Sequence, residues 1–170
     1  MSNLIAIATA RRDRLPEDFR GGVMYLSEET HHSLAKAALL AGLAEDRLRR
    51  LPVDARCRLE PEALEAAVST DRARGLAPFL VIANAGTTNT GAIDPLSGIA
   101  DVCQRHGLWL HVDAAYGGFF RLAPGGETLL PGLERADSLT LDPHKGLFLP
   151  YGTGCLLVRD PEALSRAHGL

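Results

Sequence analysis

The chain has 170 residues, 46% of them hydrophobic, and a formal net charge of −3 at pH 7. That length predicts about one domain with a buried core. The sequence has no basic stripe typical of nucleic-acid binding, no charge block typical of a disordered tail, and no apolar run near the roughly 18–20 residues that a membrane helix needs. The apolar N-terminus lacks the basic segment of a signal peptide, and the three cysteines form no C-x-x-C pair. We therefore expect a cytoplasmic protein with free thiols and no nucleic-acid or membrane partner.

Helices and short apolar strands alternate along the chain. Thr30 is the predicted N-cap of a helix that ends near Gly42, Glu60-Pro61 opens a second that ends before Gly75, and Asp94-Pro95 opens a third that Gly107 ends. The predicted strands are residues 22–27, a weaker run at 47–53, 78–85, 108–113, 136–142 and 154–160. Near-continuous apolar runs of this length suit strands covered on both faces. The pattern predicts an α/β fold with a mostly parallel sheet flanked by helices.

At both ends of the chain, the sequence predicts a helix that is cut short. Met1 leads almost directly into a helix-like run that begins at Asn3, and Pro161 opens a helix only nine residues before the last residue, Leu170. Self-contained domains more often begin and end in polar loops. We therefore expect an internal piece of a longer protein.

Polar residues follow four of the predicted strands, at the edge of an α/β sheet where ligands bind. In chain order they are His31 and His32, the loop 86–91, Asp113, and the pair His144 and Lys145. Taken singly, each has a simpler explanation: a surface histidine, an ordinary loop, a solvated acid or a loop lysine. Their common edge favours one site.

Lys145 is the most informative of these residues, because it is one of only two lysines in the chain. It lies in the segment DPHKG, followed by the apolar LFLP, where a solvated lysine is unexpected. A partly buried lysine amine is a nucleophile that forms imines with carbonyl groups. Asp113 can keep a pyridine nitrogen protonated, and His31 can stack on a ring. Together these residues predict a pyridoxal phosphate site.

The chain closely resembles the pyridoxal-phosphate-dependent group II amino acid decarboxylases, the family of aromatic amino acid, tyrosine, glutamate and related decarboxylases. The matching segments are SEETHHSLAKAALLAG, NAGTTNTGAIDPLSGIADVCQRHGLWLHVDAAYGG and ADSLTLDPHKGLFLPYGTGCLLVRD. The resemblance implies the large domain of the aspartate aminotransferase-like fold (fold type I), incomplete at both ends. It also implies release of carbon dioxide and an amine from an amino acid.

The same resemblance implies roles for individual residues. Lys145 would bind the cofactor aldehyde as an imine, and Asp113 would pair with the pyridine nitrogen. His31 and Ala115 would pack on opposite faces of the cofactor ring. Thr88 would contact the ring substituents.

The resemblance further places His144 beside the lysine, near the cofactor phosphate. Some family members carry asparagine where this chain has Asp142 and tryptophan where it has Gly146. An acid near the phosphate would repel it unless it points elsewhere, so no binding role is implied for Asp142.

The resemblance places residues 1–170 in the middle of a cofactor-binding large domain. The N-terminal segment with the turn that cups the phosphate, the mobile loop and the C-terminal small domain would lie outside the chain. Family members are homodimers, so a homodimer is implied for the complete enzyme. The sequence does not identify the amino acid substrate.

Three other interpretations remain open at this point. The same cofactor and fold support transamination or carbon–carbon lysis, because the lysine, acid and histidine serve those reactions too. The isolated chain could be a catalytically incompetent fragment. His31, His111, Asp113 and His144 could form a histidine–carboxylate metal site, since His111 and Asp113 share one face of a strand, although this leaves Lys145 unexplained.

Overall fold

The computed structural model describes residues 1–169, which form one six-stranded sheet with helices on both faces. The helices are α1 Ser2–Arg14, α2 His32–Leu40, α3 Pro61–Ala73, α4 Leu96–His106, α5 Gly126–Leu129, α6 Pro143–Gly146 and α7 Pro161–His168. The strands are β1 Gly22–Ser27, β2 Leu48–Leu51, β3 Ala77–Asn84, β4 Trp109–Asp113, β5 Ser138–Leu141 and β6 Cys155–Val158. Each predicted strand and helix is therefore present, with ends that differ by a few residues.

The sheet is mostly parallel, as predicted. Its strand order is β2-β1-β3-β4-β5-β6, and only the β5–β6 pairing is antiparallel. The chain runs from β1 to β2 on one side and then returns to place β3 on the other side of β1. Such a reversal of strand order opens a crevice beyond the carboxyl ends of the strands, where α/β proteins bind ligands.

Successive residues of the central strands enter two separate cores. In β3, Leu80 and Ile82 pack in the core that α1, α2 and α7 cover, whereas Val81 and Ala83 pack in the core beneath α3 and α4. All four side chains are fully buried. Burial of a leucine or isoleucine side chain contributes about 1.5–3 kcal/mol to stability. Burial on both faces explains why these strands are apolar at nearly every position.

Two predicted helix starts are wrong by one residue. The N-cap of α2 is His31, not Thr30, and the N-cap of α4 is Pro95. The Thr30 hydroxyl instead accepts a hydrogen bond from the Ser27 N–H at 3.1 Å. The Asp94 carboxylate accepts hydrogen bonds from the N–H groups of Leu59 and Asn84, at 2.8 and 2.7 Å. Both side chains turn into the protein because buried backbone donors need acceptors there.

Within the part of the chain that the structure describes, no helix combines the length and the apolar character needed to cross a membrane.

Candidate active site

A cavity of about 480 Å³ opens at the carboxyl ends of the parallel strands. All six residues that the sequence predicts for the site line it: His31, Thr88, Asp113, Ala115, His144 and Lys145. The structure adds residues that sequence reasoning did not assign to the site, among them Asn3, Tyr116, Thr140, Asp142 and Tyr151. The common edge predicted from the strand ends is therefore a real concave surface.

Asp113 is the last residue of β4, and its partly buried carboxyl group lines the cavity. Its Oδ1 accepts a hydrogen bond from the Ala115 N–H at 3.2 Å. Burial raises the pKa of Asp113, and that hydrogen bond and the charge of Lys145 oppose the rise. None of the ion pairs among residues 1–169 includes Asp113. A cationic ligand group beside this carboxylate would compensate for its burial.

Lys145 lies in α6, a single helical turn beside the cavity. Its Nζ is 3.0 Å from Asp142 Oδ2, and its side chain is 41% exposed. Asp142 therefore does have a contact in the site, although the resemblance implied no role for it. Its carboxylate points at the lysine three residues later, a spacing that places side chains on one helix face. His144 is fixed next to this pair, with its Nδ1 2.7 Å from the carbonyl oxygen of Thr153.

His31 presents a neutral ring to the cavity. Its Nδ1 accepts a hydrogen bond from the Ser33 N–H at 3.4 Å and lies 2.7 Å from the Ser33 hydroxyl. An Nδ1 that accepts leaves the ring proton on Nε2. Burial, with the charge of the neighbouring His32, lowers the pKa of His31. A neutral imidazole can lie against a cationic ring without charge repulsion.

The family model for the pyridoxal-dependent decarboxylase conserved domain matches residues 12–170. The chain belongs to this family. An aromatic-L-amino-acid decarboxylase of Bacillus atrophaeus is 44% identical over 166 residues, covering 98% of this chain and 35% of that protein. A cysteine sulfinic acid decarboxylase of Rattus norvegicus is 45% identical over 177 residues, covering 99% of this chain and 36% of that protein. The chain thus spans about a third of the length of these relatives.

A solved structure agrees with this assignment to the pyridoxal-dependent decarboxylases. A crystal structure of Oryza sativa TDC with PLP and tryptamine superposes with a TM-score of 0.93 at 35% sequence identity, covering 98% of this chain and 36% of that one. The predicted α/β fold of the large-domain type is thereby confirmed.

Glycines let the backbone of this decarboxylase-family chain pass close to neighbouring parts of the fold after β4 and in α6. A Cβ atom at Gly117 would lie 2.2 Å from the carbonyl oxygen of Ala85, and one at Gly118 would lie 2.2 Å from a methyl group of Leu141. Gly146 is also constrained, because a Cβ there would lie 2.9 Å from Phe119 Cβ. The tryptophan that some family members carry at this position would require Phe119 to move.

The alternative of a metal site is not supported. No three His, Cys, Asp or Glu residues of the described chain are grouped so that they could hold a metal ion. His111 and Asp113 do share a strand face, but both His111 nitrogens contact protein side chains. Nδ1 is 2.8 Å from Ser138 Oγ, and Nε2 is 3.3 Å from Asn3 Oδ1.

We expect the buried His111 to make the protein sensitive to mild acid. Burial lowers the pKa of His111 to about 3, so between about pH 6.5 and 3 the unfolded chain binds a proton that the folded chain does not. Above pH 6.5 this difference in proton binding has no effect on stability. Below pH 6.5 it lowers the free energy of unfolding by about 1.4 kcal/mol per pH unit. Between pH 7 and pH 5 the loss is about 2 kcal/mol.

Urea unfolding at both pH values measures this loss, with His111→Gln as the comparison because glutamine does not titrate. Between pH 7 and pH 5, the free energy of unfolding should fall by about 2 kcal/mol less in the His111→Gln variant than in the unsubstituted protein. Equal losses in the two proteins would contradict the assignment of the acid sensitivity to His111.

Proposed function

We propose that the protein containing this chain is a pyridoxal-phosphate-dependent decarboxylase, which converts an amino acid into its amine and carbon dioxide. The observation that carries the proposal is the meeting of Lys145, Asp113 and His31 in one cavity of a chain that belongs to this family. The relatives' names support an amino acid substrate and range from aromatic amino acids to cysteine sulfinic acid.

The residues of the cavity fit this cofactor. Asp113 is a partly buried carboxylate whose pKa burial raises and which forms no ion pair among residues 1–169, and a protonated pyridine nitrogen would supply a cation beside it. Lys145 reaches the same cavity with a primary amine, and His31 contributes a neutral ring. His144 and Thr88 line the cavity and offer hydrogen-bonding groups to the phosphate and to the ring substituents.

When bound, pyridoxal phosphate supplies an electron sink for the pair of electrons left as carbon dioxide departs. Asp113 would hold a proton on the pyridine nitrogen and so keep the sink cationic. Lys145 would hold the cofactor through its amine, which would have to leave Asp142 to do so. His31 and Ala115, which line the cavity, would cover the two faces of the ring and exclude water from it.

The described chain supplies only part of such an enzyme. Its relatives are about three times longer, so we place residues 1–170 in the central part of the large, cofactor-binding domain of a longer protein. We also propose that the complete protein is a homodimer. Two exposed aromatic side chains support this, since exposed aromatic side chains favour association: Phe148 is 91% exposed, and Tyr151, which lines the cavity, is 92% exposed.

Product analysis tests the proposed reaction. The purified protein is given pyridoxal phosphate and, separately, an aromatic L-amino acid or cysteine sulfinic acid. We expect one amine and one carbon dioxide per amino acid consumed. A keto acid with conversion of the cofactor to its amine form would indicate transamination instead, and would contradict the proposal.

A further inference from the structure

A cluster of buried polar side chains lies at the ends of β1 and β3, and the proposed function does not use it. Its members come from these two strands and from the segments that follow them: Ser27, Thr30, Asn84 and Asp94. Each of the four is at most 6% exposed. Polar groups at such depth are costly unless their hydrogen bonds are made. Of the four, only Asn84 also lines the cavity.

Asp94 fixes the orientation of the Asn84 amide. The Asp94 carboxylate accepts hydrogen bonds from the backbone N–H groups of Leu59 and Asn84, and its Oδ2 also lies 2.9 Å from Asn84 Nδ2. Burial raises the pKa of Asp94, and these three hydrogen bonds oppose the rise. Because a carboxylate only accepts, the part of the Asn84 side chain that faces it must be the NH₂ group.

The opposite end of the amide, Asn84 Oδ1, is left for the cavity. Nδ2 also lies 3.2 Å from Thr30 Oγ1 and 3.3 Å from Ser27 Oγ, so both amide hydrogens are directed into the protein. Oδ1 forms no hydrogen bond within residues 1–169. It is not enclosed either, since the buried side-chain atom without a partner there is His106 Nδ1. Asn84 thus presents a hydrogen-bond acceptor to the cavity, held from behind by its own NH₂ group.

Asn84 lies next to Asp113 on the sheet. The two residues are register partners at the ends of β3 and β4, and neighbouring strands are about 4.8 Å apart. Ile82, two residues before Asn84, and Trp109, four residues before Asp113, pack in the same core, so both side chains lie on one face of the sheet. The acceptor of Asn84 is therefore one strand away from the carboxylate that we propose as the partner of the pyridine nitrogen.

The ring hydroxyl of pyridoxal phosphate is a donor that fits this acceptor. The hydroxyl and the phosphate arm lie on opposite sides of the axis that joins the ring nitrogen to the aldehyde carbon. His144, proposed to lie near the phosphate, follows β5, and β5 and β3 flank β4 on opposite sides. With the nitrogen beside Asp113 at the end of β4, the hydroxyl would face the β3 side, where Asn84 lies.

We propose that Asn84 is a cofactor-binding residue whose side-chain oxygen accepts a hydrogen bond from the ring hydroxyl of pyridoxal phosphate, and that Asp94 holds this oxygen toward the cavity. The inference rests on the proposed function, because it takes Asp113 and His144 as neighbours of the ring nitrogen and the phosphate. It adds a second contact to that of Thr88, which the resemblance places near the ring substituents.

The orientation of the amide is the first test, and it requires no cofactor and no substitution. NMR of the cofactor-free protein measures how fast side-chain NH₂ protons exchange with water. We expect those of Asn84 to exchange far more slowly than those of Asn89, whose side chain is exposed. Exchange as fast as in Asn89 would place the NH₂ group in the cavity and would overturn the inference.

Ligand binding to a variant is the second test. Dissociation constants are measured for pyridoxal phosphate and for 3-deoxypyridoxal phosphate, which carries hydrogen in place of the ring hydroxyl. We expect Asn84→Ala to weaken binding of pyridoxal phosphate about three- to tenfold, as the loss of one hydrogen bond does, and to leave binding of the analogue unchanged. A substitution that acts only through the fold would weaken both ligands alike, so the ratio of the two constants isolates the contact.

Tyr25→Phe is the matched control for this experiment. It also removes a buried hydrogen bond to an aspartate, since Tyr25 Oη donates to Asp71 Oδ2 at 2.9 Å. Neither Tyr25 nor Asp71 lines the cavity. This variant should leave the ratio of the two dissociation constants as it is in the unsubstituted protein.

The two proposals fail in different ways. If the unsubstituted protein binds no pyridoxal phosphate, the proposed function fails, and the role of Asn84 toward the cofactor fails with it. If it binds pyridoxal phosphate and Asn84→Ala weakens both ligands equally or neither, the proposed function stands and the contact is overturned. Should Asn84→Ala not fold, Asn84→Thr keeps a hydroxyl that can donate to Asp94 and removes the amide oxygen, and the same change in the ratio is expected.

Discussion

Replacing Lys145 with alanine should abolish covalent attachment of pyridoxal phosphate and lower amine formation by roughly 10³-fold or more. Lys145 is the one lysine that lines the cavity among the described residues, and the C=N bond between its amine and the cofactor aldehyde can be reduced by borohydride to a stable bond. Mass analysis of peptides after reduction should locate one cofactor per chain on Lys145 in the unsubstituted protein and none at this site in Lys145→Ala.

Lys36→Ala is the matched control for this experiment. Lys36 is the only other lysine in the sequence, and it lies in α2 as an exposed residue. It should retain full labelling of Lys145 and full activity. Weak labelling shared between Lys36 and the N-terminus, with none concentrated on Lys145, would contradict the proposed site.

The placement of the candidate site residues around one cavity could be predicted from the sequence, because it depends on strand ends. In a parallel sheet the carboxyl ends of neighbouring strands meet at one edge, so the polar residues that follow β1, β3, β4 and β5 had to lie close together. Their buried strands could be recognised from continuous apolar runs such as residues 78–85. The positions of Asp113 and Lys145 in the cavity follow from these two regularities.

Asn3 could not be found in this way, because it reaches the site from a helix that precedes the whole sheet in sequence. It is 108 residues from His111, its hydrogen-bond partner. Only the packing of α1 across the sheet brings the two together, and no local pattern encodes that contact. Asp142 is different: it directly precedes the short helix α6, three residues before Lys145, and this spacing was a usable signal.

The predicted starts of α2 and α4 were wrong because the side chains of Thr30 and Asp94 form hydrogen bonds elsewhere in the protein and do not cap the helices. Thr30 and Asp94 are the residue types that commonly cap helices. In this fold their oxygens accept hydrogen bonds from buried backbone N–H groups instead. A buried donor without a partner costs about 1–3 kcal/mol, which is comparable to or larger than the contribution of a cap.

Asp113→Asn should lower kcat/KM between about 10²- and 5 × 10³-fold, corresponding to the 3–5 kcal/mol that the loss of one partner of a buried charge pair costs. Asparagine keeps the shape of the side chain and can still accept the hydrogen bond of the Ala115 N–H, so the loss isolates the charge. Steady-state kinetics with a saturating concentration of pyridoxal phosphate measures it. Asp137→Asn is the control, because burial also raises the pKa of Asp137, yet this carboxyl lies outside the cavity.

Asp113→Asn should not lower the stability of the cofactor-free protein, although it lowers activity. Burial raises the pKa of Asp113, so at neutral pH the ionised carboxylate disfavours the folded, cofactor-free protein, and removing its charge should leave the free energy of unfolding unchanged or increase it. A carboxylate that served only the fold would show the reverse: loss of stability, with activity falling only as far as folding does. A less stable Asp113→Asn protein with unchanged kcat/KM would therefore exclude Asp113 as the partner of the cofactor nitrogen.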